Sequence, residues 1–466
     1  MSCWRWDLQV FFIIPSEGMP RPESSLKIRL TYGLIGLSFL LIYILGYQVD
    51  RTAGELLIFL FSTLFFTYLW ILYLNPDDSL VYQLIWGSIG LRLILLFAFP
   101  NLSDDIYRFV WDGRLLGQGI HPFAELPAFY QQPGHEVNGL TQQLFKQLNS
   151  PNYFTIYPPF AQFIFWVSTA ITKTVLGAAV VIRCFIILAE TGSIFLLQKL
   201  LLRYNLPKRN VLWYAFNPLV ILELTGNLHF EAFMIFFMVL AIYCLLSNSV
   251  MKAALFLAAG VASKLVPLII LPIFLRRLNF RLLVKLYLFT ALFILLFFVP
   301  LFNVDLLNGM SSSISLYFQK FEFNASFYYL IREVGYLHYG YNIIASAGKY
   351  MALITFLGIM TLSLWKFTRA NQFQVIMWVL TLYLFMATTV HPWYITTIIA
   401  VSVFTPFRFV ILWSFMIFLT YLGYTSDGFS ENLWVVSLEY SSVILLMLYE
   451  VYNYARGQES WFSKSF

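Results

Sequence analysis

Charge is what this sequence has least of. Its 466 residues include only 23 acidic and 29 basic side chains, 11% of the chain, against 60% hydrophobic and 19% aromatic residues. The mean hydropathy is +0.75. A soluble domain carries about 25% charged residues, so that class is excluded. Cysteine is almost missing too: Cys3, Cys184 and Cys244 show neither disulfide nor metal-ligand spacing. The five histidines form no His-x-x-x-His pair, and there is no carboxylate-rich calcium loop. A glycine-rich phosphate loop and a nucleotide-binding strand are also lacking, which argues against a soluble fold that binds ATP or an activated sugar from the cytosol. No internal repeat is visible.

The apolar residues gather in runs near 30–47, 55–74, 80–99, 179–199, 211–226, 230–247, 286–300, 343–365, 374–390, 393–405, 409–424 and 434–454. Most approach the roughly 20 residues a helix needs to cross the hydrocarbon core. The short alternating strands of a barrel are not seen. The pattern therefore predicts an all-α polytopic membrane protein, a multi-helix bundle with about 11–14 transmembrane helices. Residues 1–29 read as a cytoplasmic segment whose apolar patch, Val10 to Ile14, is too short for a signal peptide. Residues 30–466 read as a single integral membrane domain.

A net charge of +6 could point to nucleic acid, but the basic residues sit at the ends of apolar runs and read as topology signals. They are Arg21, Lys27, Arg29, Arg203, Lys208, Arg209, Lys252, Arg276, Arg277, Arg281, Lys285, Lys366, Arg369, Arg408, Arg456 and Lys464. Placing all of them in the cytoplasm requires two departures from simple crossings. Phe160 to Thr172 becomes a re-entrant or interfacial helix, and Ala253 to Leu275 becomes two half-length segments meeting around Lys264 and Pro267. The alternative for the second is one continuous span with Arg276 and Arg277 outside. In the preferred topology the loops 100–158 and 301–342 face the extracytoplasmic side of a bacterial inner membrane.

The scarce charge is concentrated in Ser103–Arg114, where Asp104, Asp105, Arg108, Asp112 and Arg114 are interleaved with Tyr107 and Trp111. A solvated loop would account for one charged pair. Five charges beside greasy segments point instead to a working site. Ser103 is placed to cap a helix whose first turn holds both aspartates. On that helix Tyr107, Trp111 and Arg114 share one face, and Asp105, Arg108 and Asp112 another. Other polar islands fall on the same side: Gly226–Glu231, with Asn227 and His229; the loop around Arg332; and His391-Pro392-Trp393-Tyr394. Either histidine alone also fits a satisfied residue at a helix end. Asn101 and Asn324 open glycosylation tripeptides, a weak signal.

A reaction at the outer surface without cytosolic nucleotide must draw on an activated group already in the bilayer, and a polyprenyl-phosphate-linked sugar fits. Transfer needs a carboxylate to take the acceptor's proton and cations or donors to hold the departing phosphate. Asp104 or Asp105, with Asp105 preferred, can supply the first. Lys264, Arg108, His391 and Arg332 can supply the second. For Lys264, a lone cation in an apolar stretch, the alternative is a buried pair with Glu231 or Glu223. No resident cofactor is expected, the lipid-linked sugar being a substrate, and a divalent metal is left open.

Ser-Asp-Asp-Ile-Tyr-Arg-x-x-Trp-Asp-Gly-Arg, Gly-x-x-Pro-Phe, Tyr157-Pro158-Pro159, Asn217-Pro218-Leu219, Gly226-Asn-x-His229-Phe-Glu231, Ser263-Lys264-Leu-x-Pro267 and His391-Pro-Trp-Tyr394 together resemble bacterial mannosyltransferase-like proteins of the GT-C membrane class. The resemblance runs from about Leu102 to Tyr394. It implies a multi-helix enzyme that moves a mannose-like hexose from a polyprenyl phosphate to an extracytoplasmic glycan or lipid, with inversion. The base role falls on Asp105 or Asp104. Tyr107, Arg108, Trp111, Asp112, Arg114, Tyr157, Asn227, His229, Glu231, Lys264, Arg332, His391, Trp393 and Tyr394 are the expected donor- and substrate-binding residues. The catalytic loop here follows two more early spans than such proteins commonly have. Two rival classes fit the sequence less well. A transporter or flippase should show paired repeats, and a membrane O-acyltransferase using His391 would leave the acidic loop unexplained.

Overall fold

The computed structural model describes residues 24–365 and 371–458. Most of the N-terminal segment 1–29, with Cys3, the Val10 to Ile14 patch and Arg21, lies outside them, as do Lys366, Arg369 and Lys464. The chain is an all-α polytopic membrane protein. Its small sheet is one antiparallel hairpin, Tyr424–Thr425 with Gly428–Phe429.

Among the described residues six helices are long and apolar enough to span a membrane: Ser25–Tyr47, Gly54–Tyr73, Val175–Arg203, Phe280–Leu301, Ile344–Leu364 and Leu433–Ala455. Pro218–Gly226 and Glu231–Leu246 form a bent pair, meeting at 112°. Shorter apolar helices account for Pro159–Ile171, Val250–Ser263, Val266–Leu275, Gln372–Phe385, Pro392–Ser402 and Phe409–Gly423. The expected 11–14 crossings thus meet the length requirement in only six or seven cases, because proline, glycine and polar residues break the remaining apolar runs.

Six elements position the site. We label Asp78–Ile94 α1, Asp105–Gly117 α2, Pro159–Ile171 α3, Val175–Arg203 α4, Glu231–Leu246 α5 and Val250–Ser263 α6. Local chemistry sets their starts. The Asp77 carboxylate accepts the Leu80 N–H to cap α1, and the Thr174 hydroxyl accepts the Gly177 N–H to cap α4. Pro159 opens α3, where its missing N–H costs nothing. The break after α6 falls at Lys264, whose backbone is extended, where the sequence placed the junction of two half-length segments.

α2 lies directly on α3. At Gly113 an added Cβ would stand 2.4 Å from the Phe165 carbonyl oxygen, so only glycine allows this approach. Phe109 of α2 stacks on Phe165 at 4.4 Å between ring centroids.

The apolar runs also conceal charges. Arg92 of α1 and Glu190 of α4 pair at 3.0 Å with both side chains fully buried, and the Tyr214 hydroxyl donates to the same carboxylate. Arg183 of α4 is fully buried and donates to four carbonyls: Thr225 (2.7 Å), Gly226 (2.8 Å), Leu96 (2.9 Å) and Ala98 (2.6 Å). These carbonyls end the π-helical turn Ile221–Gly226 and the chain leaving α1, the segments that lead into His229 and Asp105. Arg408, expected as a cytoplasmic topology signal, is buried. Its guanidinium donates to the Ser402, Thr405 and Phe407 carbonyls and lies over the Trp213 ring.

Candidate active site

The two adjacent aspartates at the start of α2 are held differently. Asp104 sits at the cap position, but its side chain makes no cap bond. Its Oδ2 instead accepts from Arg51 Nη2 at 2.5 Å, and Arg51 also lies over the Tyr424 ring. The expected cap, Ser103, accepts the Asp105 N–H at 3.3 Å. Asp105 is one-fifth exposed and is held by neutral donors: Asn149 Nδ2 donates to Oδ1 (2.8 Å) and the Tyr157 hydroxyl to Oδ2 (3.0 Å). His229 Nδ1 lies 3.9 Å from the same Oδ2.

Asp105 is not grouped with Arg108 and Asp112 as the helical wheel suggested. Those two pair with each other at 2.9 Å, buried. Arg108 also donates to the Ser150 and Tyr153 carbonyls, while Asp112 accepts from Gln162 of α3. Trp111 is fully buried against Tyr130 and Phe145. Arg114 donates to the Gly139 and Lys173 carbonyls at 2.6 Å each and so ties the long loop to the helix. Tyr107 faces Phe99, and burial, reinforced by the Asp104 charge, raises its phenol above the ordinary range. In this stretch Asp105 is presented to the site, while Arg108, Trp111, Asp112 and Arg114 hold the helix and its loop in place.

Behind Asp105 the island around residue 229 closes in. His229 is buried, stacked on Trp393 at 3.7 Å, and Trp393 stacks on His391 at 4.4 Å. His229 Nε2 lies 3.3 Å from Oε2 of Glu223, whose Oε1 accepts from the Tyr421 hydroxyl at 2.8 Å. Asn227 Nδ2 donates to Glu223, and its Oδ1 accepts the Leu102 N–H, which joins this island to the acidic motif. Lys264 pairs with Glu231, the other Glu231 oxygen is buried and unpartnered, and the ammonium lies 5.0 Å from the Tyr394 ring centroid. Lys264 thus makes the buried pair weighed as its alternative role, with Glu231 and not Glu223 as the partner.

Asp105, Tyr157, Asn227, His229, Glu231, Lys264, His391, Trp393 and Tyr394 thus form one connected cluster. Arg332 joins a neighbouring one, paired with Glu322 at 2.7 Å and lying over Tyr329. The tripeptide asparagine Asn324 is fully buried, its amide on Glu439, so it presents no acceptor surface. Arg51, Asn149, Glu223 and Tyr421 were not singled out by the sequence as parts of the site around Asp105. The only hint was Glu223, weighed as a partner for Lys264. Among the described residues no three His, Cys, Asp or Glu side chains converge as a metal site would require.

A groove of about 490 Å³ runs between the end of α2, α3 and Phe280–Leu301. Leu116, Phe160, Phe163, Trp166, Phe297 and Leu301 line it, with Gln162 on its wall. Gln162 also donates to Asp112 and to the Tyr157 carbonyl, so the groove is one residue removed from the support of Asp105.

Residues 52–278, just under half of the chain, match the family model of the MptA_B family, the N-terminal domain of alpha-(1->6)-mannopyranosyltransferase. The mannosyltransferase resemblance carried by the motifs is borne out by this match, which contains every cluster residue before Lys264 and Lys264 itself. No curated protein and no solved structure matches the chain.

Proposed function

We propose that this protein is an integral membrane mannosyltransferase of the GT-C type that takes its sugar from a polyprenyl phosphate and passes it to an extracytoplasmic glycan or lipid, with Asp105 as general base. The carrying observation is the contrast between the two aspartates, inside a segment that matches a mannosyltransferase domain. Asp104 is paired with Arg51, whereas Asp105, the less exposed of the two, is oriented by Asn149 and Tyr157 without a cation. A carboxylate not paired with a cation can accept an incoming hydroxyl proton.

On this reading the acceptor hydroxyl donates to Asp105 while its oxygen attacks the sugar carbon, and the bond to the lipid phosphate breaks on the opposite face, inverting the centre. Lys264 turns from Glu231 to the departing phosphate, where a fixed cation stabilises charge as it develops. The apolar groove beside α3 receives the isoprenoid chain. The loop holding Asp105 faces the outside of the inner membrane, in keeping with the positions of Arg209, Arg277 and the other basic residues.

The test is donor choice. Purified protein in lipid should consume polyprenyl-phosphate mannose and release polyprenyl phosphate in the presence of an acceptor. Consumption of a nucleotide mannose in its place, with the lipid donor untouched, would reject the reading.

A further inference from the structure

Beside the cluster lies a further carboxylate that the reaction above leaves unused. Glu223 is fully buried on the π-helical turn and reaches Asp105 through one imidazole: Asp105 Oδ2 to His229 Nδ1 is 3.9 Å, and His229 Nε2 to Glu223 Oε2 is 3.3 Å. His229 Nε2 is buried and has no hydrogen-bond partner among the described residues. Its ring lies flat on Trp393. Two donors, Tyr421 and Asn227, point at Glu223.

We propose that Asp105, His229 and Glu223 form a proton relay, in which the proton Asp105 takes from the acceptor hydroxyl leaves through His229 to Glu223. The inference rests on Asp105 being the base. On this proposal Nε2 carries the proton and faces Glu223 at 3.3 Å, short of a formed hydrogen bond, while Nδ1 turns its lone pair to Asp105. Before transfer, that lone pair and a carboxylate oxygen repel, consistent with a separation beyond hydrogen-bond length. Once Asp105 is protonated, its O–H donates to Nδ1. The proton on Nε2 then passes to Glu223, and once the product leaves the two transfers reverse, so that Nε2 regains its proton and Asp105, the exposed end of the relay, gives its proton to solvent before the next acceptor binds. His229 is on this view not a sugar ligand. The neighbouring Trp393 ring already stacks on both His229 and His391, so its faces are engaged by imidazoles.

The charged and titratable groups facing His229 are Asp105, Glu223, Glu231, Lys264 and, across Trp393, His391. All but Glu223 remain when Glu223→Gln is made. The experiment compares wild type, His229→Gln, Glu223→Gln and Asp105→Asn, each purified in lipid, by kcat across pH, donor KM and melting temperature. For His229→Gln and Glu223→Gln the relay predicts kcat lower by about 10- to 100-fold, with donor KM within about twofold. In Glu223→Gln the acid limb of the kcat profile should also move to lower pH, because a negative charge that favours protonation has gone. Adding either change to Asp105→Asn should cost nothing more. Unchanged kcat in His229→Gln, or a loss confined to donor KM, overturns the relay. If Glu223→Gln fails to fold, His229→Gln decides alone. An active Asp105→Asn would instead defeat the base assignment, whereas an inactive Asp105→Asn beside a normal His229→Gln would defeat only the relay.

Discussion

Asp104 and Asp105 carry the same side chain one position apart, and their partners separate their roles. Asp104→Asn removes a half-exposed ion pair with Arg51, which is worth about 0–1 kcal/mol at such a site. We expect this variant to keep transfer within about tenfold of wild type, since loss of a true base costs about 10²–10⁴-fold. Sugar release from the lipid donor by the purified variant measures it, and a loss as deep as that of a missing base would place Asp104 in the chemistry. Lys264 invites a paired test. Lys264→Met leaves the Glu231 carboxylate buried without a partner, a change that typically costs about 3–5 kcal/mol. Adding Glu231→Gln should restore the melting temperature without restoring transfer. Recovery of both would mean that the lysine serves only its pair.

At the scale of elements, α2 is placed by contacts whose partners lie some fifty residues away. Gly113→Ala would drive a Cβ into the Phe165 carbonyl, so α2 must move off α3 and carry Asp105 with it. We expect overpacking of about 1–3 kcal/mol and a fall in kcat in the same variant, read by melting temperature and single-turnover transfer. Arg183→Lys should be worse for stability than its modest chemistry suggests, because an ammonium cannot reach four carbonyls held by a planar guanidinium. Accumulation in the membrane and the melting temperature check this, and a variant as stable as wild type would show that the carbonyls find other donors. These contacts also mark where sequence reading stops. The start of α3 at Pro159, the break at Lys264 and the acidic opening of α2 were legible, because proline, an isolated cation and a carboxylate at a helix start act locally. The second half of the acidic motif reads as donor-binding in the sequence, and its contacts with α3 were not legible there, since Gln162 and Phe165 become its neighbours only when α3 folds back on α2. Arg92, Arg183 and Glu190 were hidden because each is a single charge in a run that reads as a span. Asn149 and Glu223 carry no motif at all, and only tertiary packing brings them to Asp105 and His229.

For the whole molecule, the positive-inside reading requires the long polar loop and residue 277 to lie on opposite sides of the membrane. In a background without native cysteines, Glu136→Cys in that exposed loop should react with an impermeant maleimide in intact cells, and Arg277→Cys should not. The reverse pattern would put the site on the wrong side for a lipid donor flipped to the outer leaflet. The proposed donor chemistry and the proposed path of the proton both rest on Asp105. Transfer of mannose from polyprenyl phosphate by purified Asp105→Asn, set beside wild type at matched melting temperature, is therefore the most direct test. The account predicts a rate lower by about 10²–10⁴-fold with the donor still bound, and near-normal transfer by a folded Asp105→Asn would contradict it.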